Sequence, residues 1–115
     1  MLYKRVLVGV ILLAFMASGA WGMQISGGFE LKNIQYRDSM FGTEFLGEMI
    51  NKSGKDYSYT MFTLSIYDSD GNLLDATTII IPHFPNGSTR TFGTQSRKKL
   101  PSKIKYKIDP YVLMP

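Results

Sequence analysis

The chain has 115 residues, 44% of them hydrophobic, with seven Tyr, seven Phe and no cysteine. That length suits one domain core, and the missing cysteine excludes disulfides, thiol catalysis, thiolate metal sites and lipoprotein anchoring. The net charge of +4 is unevenly spread: Met23 to Asp75 holds eight acids and four bases, whereas Ala76 to Pro115 holds one acid and seven bases.

At the start, Lys4 and Arg5 precede Val6 to Met16, a run that no polar side chain interrupts. Small residues follow, the pattern of a helical export signal. Cleavage after Gly22 sets Ala20 and Gly22 at the small-residue positions, and cleavage after Ala20, using Ser18, is the alternative. Residues 1–22 are therefore expected to be removed and 23–115 to form a single domain. The run is shorter than the ~20 residues that a membrane-spanning helix needs. An uncleaved anchor on a membrane-tethered subunit remains the competing reading.

Phe29, Leu31 and Asn33, then Ile34 and Tyr36, give a partly alternating strand with a register change near Asn33, as a bulge would produce. Arg37 to Thr43 reads as a turn. Glu44 to Asn51 is the second strand, with Phe45, Gly47 and Met49 on its inner face and Glu48 in water. Asn51 to Asp56 is a polar loop around Gly54. Tyr57 to Tyr67 is the longest strand, and Thr60, Phe62, Leu64 and Ile66 form its core-facing stripe.

Asp68 to Asn72 closes a hairpin, because Asp-Gly accepts the positive φ angles of tight turns. Leu73 to Ile81 is a further strand, broken near Ala76 and ended by Pro82. Pro85 to Ser88 turns into a short strand from Thr89 to Thr94. Ile104 to Leu113 is the last strand, with Ile104, Tyr106 and Ile108 inside and Lys103, Lys105 and Lys107 outside. Six or seven short antiparallel strands without helical periodicity predict an all-β sandwich of the immunoglobulin-like kind.

Leu64, Ser65, Ile66, Tyr67 and Asp68, followed by Gly71, resemble the signature of FxLYD domains, immunoglobulin-like extracytoplasmic modules. Leu64 stands where that signature has Phe and Ile66 where it has Leu, both apolar and on one strand face. Gly47 with Asn51, and Pro85 to Phe92, resemble the flanking pattern, so the likeness runs from Leu31 to the end. It implies a sandwich working in the envelope, the periplasm or outside the cell, and it carries over no catalytic residue.

The chemistry-bearing residues are few. Asp68, Asp70, Asn72 and Asp75 offer oxygen ligands of the type Ca²⁺ takes. Their spacing departs from an EF-hand, and a hairpin turn needs the same residue types. His83 is the single histidine, so no His pair is available for a metal, and a small hydrolase using it with loop acids is the rival function. No cofactor is implied. Asn51-Lys52-Ser53 and Asn86-Gly87-Ser88 both match the N-glycosylation triplet, and Tyr57, Tyr59 and Tyr67 could form an aromatic patch. The most specific surface feature is the basic set Arg97, Lys98, Lys99, Lys103, Lys105 and Lys107. It suits an anionic envelope component or an acidic protein. Lysines on an edge strand also block unwanted strand pairing. The expected function is thus an exported, non-catalytic interaction module, with nucleic acid a poor fit for an exported chain.

Overall fold

The computed structural model describes residues 22–115. The expected export signal therefore lies, except for Gly22, outside the described residues. Seven strands occur among them: β1 Met23–Ile25, β2 Phe29–Ser39, β3 Gly42–Asn51, β4 Tyr57–Tyr67, β5 Leu73–Phe84, β6 Thr89–Ser96 and β7 Lys105–Met114. They form two antiparallel sheets, β1-β2-β3-β6 and β5-β4-β7. The all-β sandwich expected from the strand pattern is what the chain forms.

β4 shows how the sequence dictates the layers. Thr60, Phe62, Leu64 and Ile66 are buried while Met61, Thr63, Ser65 and Tyr67 are only half-buried, because successive side chains leave a strand on opposite faces. Phe29, Leu31, Phe45 and Met49 of the first sheet meet Phe62, Leu64, Ile66, Ile79, Ile81 and Ile108 of the second in one apolar core. Aromatic rings fill one end of it. Phe29 meets Phe62 edge-on at 5.1 Å and Phe84 nearly parallel at 5.7 Å, geometries that ring quadrupoles favour. Tyr57 caps this group at 5.9 Å from Phe29. Gly47 faces Phe92 across the β3–β6 pair, and a methyl group there would come within 2.8 Å of the ring.

The bulge expected near Asn33 is present: the β2–β3 register shifts between Lys32 and Gln35, and Asn33 has φ of 54°. Several boundaries differ from the sequence reading: β7 is Lys105–Met114 in place of Ile104 to Leu113, and β5 runs unbroken through Ala76, which pairs with Ser65. β1 is an added three-residue strand, too short for any periodicity to reveal. The segment from Arg37 to Thr43 is mostly strand, since β2 and β3 continue to Ser39 and Gly42 and leave only Met40 and Phe41 at the tip. β5 passes through Pro82 to Phe84, which pair with Tyr59 and Tyr57. An edge strand tolerates proline, because a missing donor there need not interrupt a ladder. β6 runs on to Ser96.

The two flanks of the sandwich are closed differently. Along one, side chains of the first sheet and of the loop after it cap carbonyls of the β5 edge: Thr94 Oγ1 donates to Thr78 O at 2.8 Å, Arg90 Nη2 to His83 O at 3.0 Å and Lys98 Nζ to Leu74 O at 2.7 Å. Ser96 adds a hydrogen bond from its hydroxyl to the Asp75 carboxylate. Along the other flank the turn after β1 approaches β7, with Gly27 beside Pro110.

Candidate functional site

One end of the sandwich is held shut by Asn51. Its side chain is fully buried. Nδ2 donates to Lys55 O at 2.8 Å and Phe84 O at 2.9 Å, and Oδ1 accepts from Ser53 N at 3.0 Å and Ser53 Oγ at 2.6 Å. The loop after β3 is thereby tied to the end of β5. With its amide nitrogen used twice inside the fold, Asn51 has no room for a glycan, whereas Asn86 is exposed. Nearby, Lys52 forms an ion pair with Glu30, and that contact holds the Glu30 carboxyl below its ordinary range.

The Asp68 hairpin is occupied by its own turn. Asp68 Oδ1 accepts from Asp70 N and Asn72 N, both at 2.9 Å, and Oδ2 accepts from Asn72 Nδ2 at 3.1 Å. The hydrogen bonds from Asn72, above all that from its backbone, hold the Asp68 carboxyl below the usual range. Asp75 turns away, accepting from Ala76 N and from Ser96. Among the described residues no three His, Asp or Glu side chains converge in a way that could hold a metal ion. His83 is exposed on β5 with φ of 51°. Tyr57, Tyr59 and Tyr67 are all half-buried.

The basic residues follow a different geometry. After β6 the chain crosses the opposite end of the sandwich to reach β7. Thr43 Oγ1 donates to Lys98 O at 3.1 Å, and Leu100 N donates to Thr43 Oγ1 at 3.3 Å. Further along, Tyr36 OH reaches Ser102 O at 3.4 Å. Arg97, Lys98 and Lys99 sit at the start of this crossing loop and Lys103 near its finish, so Lys103 is not on the strand. Lys105 and Lys107 follow on β7, cross-strand from Tyr67 and Ser65. All six are exposed. Among the described residues the ion pairs are Arg37–Glu44, Lys52–Glu30 and Lys107–Asp109. Arg97, Lys98, Lys99, Lys103 and Lys105 therefore have no carboxylate partner among the described residues.

The β2–β3 tip, read from the sequence only as part of a longer turn, stands beside this arc. Met40 is 86% exposed and Phe41 72%, and Phe41 lines a shallow open depression with Gln95 and Arg97. The tip is braced from below: Lys99 Nζ donates to Ser39 O at 2.7 Å and Gln95 Nε2 to Ser39 Oγ at 3.0 Å. Gly42, at φ of 142°, lies so close to β6 that a Cβ would fall 2.1 Å from Ser96 O. The available signal was a pair of large apolar residues between Ser39 and Gly42, where turn residues are ordinarily polar.

Comparison with protein-family models, with curated proteins and with solved structures finds no match.

Proposed function

We propose that the protein is an exported, non-catalytic immunoglobulin-like module that binds an anionic component of the cell envelope through the basic end of its sandwich. The observation that carries this reading is the set Arg97, Lys98, Lys99, Lys103 and Lys105, gathered along one crossing loop and the start of β7 without carboxylate partners among the described residues. Cations along one path that no carboxylate neutralises raise the local positive potential and attract anions at a rate and affinity that salt reduces.

The strand order supports the immunoglobulin-like reading. β2, β3 and β6 neighbour one another as strands A, B and E do, and β5, β4 and β7 do so as C′, C and F. The signature Leu64 to Asp68 sits at the end of β4, the strand equivalent to C, in keeping with the resemblance to FxLYD modules. Export is supported by Lys4, Arg5 and the apolar run Val6 to Met16.

The test is binding to a soluble polyanion, poly(glycerol phosphate), by the native chain and by the triple variant Arg97→Gln, Lys103→Gln, Lys105→Gln. The reading expects binding that weakens steeply as salt rises, and a large loss in the variant at unchanged melting temperature. Equal binding by both proteins would refute it.

A further inference from the structure

We infer that the Met40-Phe41 tip is a membrane wedge: the basic end of the sandwich docks on an anionic lipid surface, and these two side chains enter the boundary between headgroups and acyl chains. This rests on the anion-binding reading above and names the anion's source. Three observations carry it. Met40 and Phe41 are the most exposed large apolar residues at this end, 86% and 72%, and they stand at the apex of the β2–β3 hairpin, beyond the last pair Ser39–Gly42. A soft apolar phase accommodates such an apex without a shaped pocket. The apex is also fixed. Met40 and Phe41 take negative φ angles, Gly42 alone carries the positive one, and the Lys99, Gln95 and Ser96 contacts hold the hairpin against β6. A braced apolar tip loses little freedom when it inserts.

The third observation is charge. Arg97 borders Phe41, Lys99 bonds the base of the tip, and Lys98, Lys103 and Lys105 continue the arc. Cations next to an inserted apolar group are the combination that holds proteins at anionic membranes, each contribution being weak alone. Leu73, 61% exposed at the same end, starts β5 opposite Tyr67 and is the one other strongly exposed apolar residue near these cations, whereas Ile80, Tyr111 and Met114 lie on β5 and β7 toward the other end of the second sheet.

The experiment measures co-sedimentation with vesicles of phosphatidylglycerol mixed with phosphatidylcholine, and with pure phosphatidylcholine. It uses the chain as isolated from its host envelope, native and as Met40→Ser/Phe41→Ser. Both proteins share the same N-terminus, so the difference between them reads the tip. We expect binding to the anionic vesicles only, lowered at least about 10-fold by the double substitution. Replacing Arg97, Lys103 and Lys105 together by Gln should lower it about 100-fold at low salt. A second readout is Phe41→Trp in a Trp21→Phe background, whose indole emission should shift to the blue with anionic vesicles. Equal binding by the double variant, or an indole emission that vesicles leave unmoved, overturns the wedge. Affinity for soluble poly(glycerol phosphate) without vesicle binding also overturns it, while leaving the anion-binding reading in place. Capture of a protein through Met40 and Phe41 without vesicle affinity overturns it as well.

Discussion

Asn51→Ala should be among the most destabilising single substitutions in the domain. The native side chain is fully buried and takes part in four hydrogen bonds, two donated and two accepted. Net contributions of about 1 kcal/mol each would give about 4 kcal/mol if every partner were stranded. Ser53 and Lys55 lie in an accessible loop and can turn to water, whereas the bond to the Phe84 carbonyl is buried. A loss of about 3 kcal/mol follows, combining the buried carbonyl, the remaining bonds and the small void. For a domain of this size that corresponds to a fall of roughly 12 to 24 °C in melting temperature. Urea unfolding followed by circular dichroism should show the midpoint move with the slope unchanged. Asn86→Ala is the control. Its side chain accepts one exposed hydrogen bond, from Gly54 N at 2.9 Å, and should cost less than about 1 kcal/mol. An Asn51→Ala loss no larger than the control's would refute the account of how the two loops are held.

Other perturbations probe other parts of the structure. Gly42→Ala should destabilise by about 2 kcal/mol or more, since a methyl group at φ of 142° meets Ser96 O; chemical denaturation reads it, and a neutral effect would show that the tip is not clamped to β6. Asp68 has a carboxyl held below its ordinary range by the turn, so its contribution is present above the unfolded-state value and fades as pH falls through the lower folded value. Native stability should therefore decline on acidification more than that of Asp68→Ala, and parallel acid titrations would contradict this. Tyr106 behaves oppositely: burial, with Tyr36 nearby, pushes its phenol upward. Its contribution is complete below the unfolded value of ~10 and is lost as pH rises beyond it. Tyr106→Phe should flatten the alkaline limb of the stability profile, and an unchanged limb would remove Tyr106 from the explanation.

The sheets were legible where the two-residue period was strong and a turn marked its limit. β4 was visible with its boundaries because Thr60, Phe62, Leu64 and Ile66 alternate with half-exposed partners up to the Asp-Gly turn. β1 carries three residues and no period. Pro82 suggested a stop that only the edge position of β5 relieves. The β2–β3 tip was obscured because Arg37, Asp38 and Ser39 are ordinary turn residues, and their strand state comes from pairing with Glu44, Thr43 and Gly42. The basic residues were legible by type, but their path was not. Only the contacts of Thr43 with Lys98 and Leu100, and of Tyr36 with Ser102, draw the loop across the end of the sandwich and bring Arg97 beside Phe41.

The central claim is that binding occurs at that end. Chemical-shift mapping on ¹⁵N-labelled protein, titrated with poly(glycerol phosphate), tests it most directly. The account predicts shifts concentrated at 97–105, with Asn51 to Asp56 and the Asp68 hairpin unaffected, and their disappearance at high salt. Shifts centred on the Asn51 loop, or none at 97–105 at low salt, would contradict it.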